Sequence, residues 1–116
     1  MLPPAYRMRD GEAFRTTMRR GAKAVQADLV VHLSVAASPT DCSSVGFVVS
    51  KAVGNAVVRN RVKRQLRHSV AKELPHIGTG HKLVIRALST ASAKDSHQIH
   101  AEVSAGINAA KEKLHR

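Results

Sequence analysis

The chain has 116 residues and a formal net charge of +11, from 19 Lys and Arg against 8 Asp and Glu. That length suits a single domain, 1–116, with one thin core, and with no Trp and only Phe14, Phe47 and Tyr6 as aromatics, aliphatic side chains must fill it. The charge argues against a cationic partner and for a polyanionic one. The lone Cys42 excludes an internal disulfide, and no apolar run reaches the length of a signal peptide or a membrane span, so a cytoplasmic protein is expected.

Residues 1–9 are expected to be flexible, because Pro3-Pro4 cannot open a regular element. Asp10 can cap a helix that runs to about Arg20, with Phe14, Thr17 and Met18 on one face and Gly21 as its stop. Alternating apolar residues predict a strand over 28–36, and SPTDCSS at 38–44 has turn composition. VGFVVSK at 45–51 predicts a second strand, which would form a hairpin with the first. A helix follows from about Asn55 to Leu74, ahead of Pro75. KLVIRAL at 82–88 predicts a third long strand. A last helix covers about Asp95 to Leu114, its apolar stripe formed by Ile99, Val103, Ile107, Ala110 and Leu114. This order predicts a small α+β sandwich with helices over one sheet face and a groove on the other.

The second helix carries the strongest signal. At about 100° per residue, Val58, Val62, Leu66 and Val70 make one apolar stripe. Asn60, Arg61, Lys63, Arg64 and Arg67 occupy the opposite arc, with Arg59 on the border. Like charges three or four residues apart, such as Arg59 with Lys63 and Arg64 with Arg67, together cost about 1–2 kcal/mol. No Asp or Glu occurs from Cys42 to Lys72 to relieve them. A polyphosphate would turn that repulsion into attraction and release counterions. A solvated face and a basic membrane-surface helix are the alternatives, the latter disfavoured because the apolar stripe is needed for the core. Charge alone leaves RNA and DNA both open. Asn60 is a neutral amide between two arginines, able to read RNA shape or a ribose. Lys51, at the end of the predicted strand, brings its charge near the groove. Arg7 and Arg9 could close its other side, or remain in a basic tail.

Other chemistry is poorly supported. The seven histidines lack Cys or acidic companions at zinc spacing, so no protein-built metal site is expected. Cys42 sits in a predicted turn without a nucleophile's partners. A metal-dependent nuclease acting alone is therefore a weak alternative to an RNA-binding module.

The run VGFVVSKAVGNAVVRNRVKRQLR, residues 45–67, resembles the bacterial ribonuclease P protein subunit. The matching residues are Ser50, Lys51, Gly54, Asn55, Ala56, Val57, Arg59, Asn60, Arg61, Lys63 and Arg64, and the resemblance spans roughly residues 7 to 114. It implies a non-catalytic partner of a large catalytic RNA, in a complex that removes the 5′ leader from precursor tRNA. The implied fold is a two-layer, ferredoxin-like variant with a left-handed βαβ crossover, where general statistics favour the right hand. It also implies a short strand near Lys23–Gln26. In the implied arrangement Lys51, Asn55, Arg59, Asn60, Arg61, Lys63, Arg64 and Arg67 contact the catalytic RNA. Arg7, Arg9, Phe14, Met18, His32 and Ser50 line a cleft for the single-stranded leader, with a pure core role open for Phe14 and Met18. Mg²⁺ is expected on the RNA, and the protein is expected to be monomeric. Ala52, Met18 and His32 depart from the family pattern, which commonly has Lys at the first position and aromatics at the other two.

Overall fold

The computed structural model describes residues 4–115. Three α-helices and four strands follow in the order α1 (Gly11–Arg20), β1 (Ala22–Val25), β2 (Leu29–Val35), β3 (Ser44–Val48), α2 (Ala56–Ile77), β4 (His81–Ala87) and α3 (Ser96–Leu114). Short 3-10 turns at Pro4–Tyr6 and Ser89–Ala93 precede α1 and α3. The helices begin where the capping residues predict. The Asp10 side chain accepts from the Glu12 amide, Asn55 from the Val58 amide, and Asp95 and Gln98 form a reciprocal capping box. Helix α2 runs through Pro75, past the expected end at Leu74, and stops at Gly78. The Ile77 side chain is buried, which holds the extra turn in place, and Gly78 takes φ 66°, a conformation that favours glycine.

The strand order is β1-β2-β4-β3, with β2 antiparallel to both β1 and β4, and β3 parallel to β4. The expected hairpin between 28–36 and 45–51 is therefore not formed. β4 inserts between β2 and β3 and pairs with both, through Val31↔Ile85 and Phe47↔Ile85. A central strand satisfies its backbone groups on both sides, and no signal near 38–44 announces a strand supplied so much later in the chain. The parallel pair β3 and β4 is joined through α2, the crossover that the resemblance implies. The short first strand also exists, as Ala22–Val25 on the β2 edge.

One sheet face, carrying Leu29, Val31, Leu33, Leu83 and Ile85, packs on α2 and α3 through Val62, Leu66, Val70, Ile99, Val103 and Ile107. The opposite face carries the row Gly46, Val84, His32 and Lys23. Here the expectation of helices on one face only is corrected, because α1 lies across this second face. Its Phe14 ring sits on Gly46, where a Cβ would come within 2.3 Å of two ring carbons. Its buried Thr17 hydroxyl meets Ser34 at 3.4 Å. The leading segment is also placed: Arg7 bridges to Val45, and the Met8 amide donates to the Val45 carbonyl at 2.8 Å. Of the expected flexible stretch, residues 1–3 lie outside the described residues.

Candidate nucleic-acid interface

The apolar stripe of α2 seats Val62, Leu66 and Val70 at 0 % exposure, and this turns the cationic arc outward. Asn60, Arg61 and Arg64 are exposed, while Arg59, Lys63 and Arg67 are half-buried. Among the described residues, the ion pairs are Arg15–Glu12, His76–Glu73 and Lys94–Asp28. None of the α2 arginines or Lys63 takes part in one. Arg61 instead donates to the Ser92 carbonyl in the 3-10 turn ahead of α3. Its guanidinium can give further hydrogen bonds to a phosphate from the remaining N–H groups.

The arc divides into two flanks. Lys63 and Arg67 face the edge of β3, where they line a cavity of about 200 Å³ with Arg7, Met8, Phe14, Val45, Gly46 and Phe47. Arg61 and Arg64 face α3 and share a groove of about 450 Å³ with Gln65, His68, Lys72 and Ser96. Lys72 extends the cationic surface, and His68 the polar one, beyond the residues singled out from sequence. The steps of four from Arg64 to His68 to Lys72 carry that signal. The first cavity brings together three cations from two separate segments and two aromatic rings. Phosphates can meet the cations while a base meets a ring face.

The sequence-derived cleft residues fall at several places. Arg7 and Phe14 line the β3-edge cavity, whereas Arg9 is exposed and outside it. Met18 is half-buried on α1. His32 is only 4 % exposed, on the sheet face that α1 covers, so its ring offers no open stacking surface. Both of its ring nitrogens are buried without a partner. Burial first, then the Arg86 and Lys23 charges, hold its pKa below the ordinary value of 6.5. Ser50 and Lys51 lie beyond the end of β3, in a turn closed by amides of Val53 and Gly54. Lys51 therefore does not end a strand. The Asn55 side-chain oxygen Oδ1 is engaged as the α2 cap, accepting from the Val58 amide. Arg86, on the same face as His32, was not singled out from sequence, although the alternation of KLVIRAL puts Lys82, Val84 and Arg86 together.

Among the described residues no group of three or more His, Cys, Asp or Glu could hold a metal ion. No helix among them is long and apolar enough to cross a membrane.

A family model described as Ribonuclease P matches residues 2–111. The ribonuclease P protein component of a Mycobacterium species (strain KMS) is 45 % identical over 114 residues, covering 98 % of this chain and 97 % of that protein. Its counterpart from a Nocardioides species is 49 % identical over 96 residues, covering 79 % and 80 %. Among solved structures, a Staphylococcus aureus RNase P protein mutant with defective mRNA degradation activity superposes with a TM-score of 0.82 at 26 % identity, covering 92 % of this chain and 89 % of that one. The RNase P protein from Thermotoga maritima has the same fold, with a TM-score of 0.74 at 22 % identity over 91 % and 96 %.

Proposed function

Since the chain belongs to the ribonuclease P protein family, the non-catalytic protein component of an endoribonuclease that matures tRNA 5′ ends, we propose how its surfaces divide that work. The outward arc of α2, from Arg59 to Lys72, binds the catalytic RNA. The β3-edge cavity, with Phe14 over Gly46 and Arg7, Lys63 and Arg67 around it, receives the single-stranded leader of precursor tRNA. The observation that carries this reading is the set of α2 cations left without any carboxylate partner among the described residues.

The contribution to catalysis is indirect. Phosphates crowded at a cleavage site repel each other, and fixed cations between leader and catalytic RNA reduce that repulsion. Holding the leader also confines the scissile bond and lowers the entropic cost of reaching the reactive geometry. Mg²⁺ belongs to the RNA in this reading, where it would activate water and stabilise the leaving oxygen. The protein acts as a monomer in the cytoplasm.

The test mixes purified protein with a bacterial ribonuclease P RNA and a leader-bearing precursor at low Mg²⁺. The expected result is faster cleavage than with RNA alone, and tighter binding of precursor than of mature tRNA. Equal rates with and without protein would refute the role. Equal binding of the two tRNAs would instead leave a general RNA-binding module that ignores the leader.

A further inference from the structure

The C-terminal ends of β3 and β4 enclose a pocket of about 550 Å³, separate from the two cationic hollows beside α2. Ser50, Ala52, Arg86, Ser89 and Thr90 are among its lining residues, and Arg86 is the one charged side chain there. On the sheet, Arg86 stands between Val48 of β3 and Val30 of β2, which offer its guanidinium nothing polar. Its Nε is buried and has no partner. No ion pair among the described residues includes Arg86.

The surroundings do not neutralise it. Lys23 and Arg86 both act on His32 from the same sheet face, so the local potential is positive. Asp28, behind Thr90, is 3 % exposed and already engaged with Glu102, Thr90 and Lys94. A half-buried guanidinium in no ion pair among the described residues, beside three hydroxyl-bearing side chains, suits a tetrahedral oxyanion. Val48 and the 62 % exposed Val25 extend the same row with apolar surface, on which a base can rest.

We infer that Arg86, with Ser50, Ser89 and Thr90, forms a subsite for one phosphodiester of an RNA strand crossing the open end of the sheet. This rests on the RNA-binding role proposed above. The phosphodiester has two sources, the leader of the precursor and the catalytic RNA.

The experiment uses reconstituted holoenzyme carrying wild-type, Arg86→Gln or Arg86→Lys protein, each checked for an unchanged thermal midpoint. Affinities for precursor, for mature tRNA and for the catalytic RNA are measured across a salt series. Arg86→Gln should weaken one of these affinities about tenfold, the effect of losing one charge-assisted hydrogen bond. It should also lower the salt slope of log K by about 0.7, one single-strand phosphate contact. Arg86→Lys keeps the charge, so it should restore the slope while recovering only part of the affinity. A loss confined to precursor assigns the subsite to the leader, and a loss in assembly with the catalytic RNA assigns it there. Unchanged affinities and slopes in a folded Arg86→Gln protein overturn the subsite. If wild-type holoenzyme does not prefer precursor, the proposed leader cleft fails whatever Arg86 does.

Discussion

Gly46 lets the Phe14 ring rest directly on the sheet, and Gly46→Ala tests that contact. An added Cβ would lie 2.3 Å from both Cε1 and Cζ of Phe14. Carbon atoms settle at about 3.5–4.0 Å, so the ring would have to retreat by roughly 1.2 Å or more. Overpacking of this kind costs about 1–3 kcal/mol. Gly46 is not among the positive-φ glycines, so alanine suits its strand backbone and offsets about 0.5–1 kcal/mol of that cost. The expected outcome is a net loss of about 1–2 kcal/mol in urea unfolding followed by circular dichroism. In a Phe14→Ala background the obstacle is gone, and Gly46→Ala should become neutral or slightly stabilising. The double-mutant cycle should therefore show a coupling of about 1–3 kcal/mol. The same substitution displaces the ring from the cavity, so holoenzyme carrying it should discriminate less between precursor and mature tRNA. An identical cost of Gly46→Ala in both backgrounds would refute the placement of Phe14 over β3.

Arg64→Ala removes an exposed cation that is in no ion pair among the described residues. It should change stability by no more than about 0.5 kcal/mol while lowering the salt slope of binding to the catalytic RNA by about one. Equal damage to folding and binding would contradict its outward position. Glu102 accepts the Asp28 amide at 2.7 Å, and burial followed by its hydrogen bond to Asp28 raises its pKa above 4.5. A raised carboxyl contributes stability that is complete below 4.5 and lost as pH rises through the folded value. Glu102→Gln keeps the acceptor and cannot ionise, so its thermal midpoint should rise relative to wild type as pH rises; a midpoint that instead falls relative to wild type would refute the raised carboxyl. His32, depressed chiefly by burial, contributes stability that is present above pH 6.5 and lost as pH falls from there through its folded value. His32→Phe should remove that part of the acid loss, read as a shallower decline of the thermal midpoint below pH 6.5. An unchanged decline would assign it to other groups.

The long helices were legible because each has one buried face and a regular period, and the two seven-residue strands because each is an unbroken, β-branched-rich apolar run or alternation. Four-residue β1, AKAV, has too few apolar positions to announce itself. The pairing of β2 departs from expectation for a different reason: neighbours in sequence are the default partners, and only the assembled core selects β4 instead. Likewise, the outward cations of α2 follow from helical spacing, but their division into two flanks does not. Lys63 and Arg67 meet Arg7 and Phe14 only because the leading segment runs beside β3 and α1 crosses the opposite face. His32 shows the converse limit, since alternation put it on the groove side but could not tell that α1 would cover it.

The bond from the Met8 amide to the Val45 carbonyl also bears on how the polypeptide behaves in concentrated solution. β3 is a boundary strand of only five residues, and the segment through Arg7 and Met8 occupies part of its outer rim. A second molecule therefore finds little length on which to zip itself, and Arg7 confronts it with a positive charge. Trimming the amino end would bare that rim and remove one of the cavity's cations together, so aggregation resistance and substrate grip should decline in step.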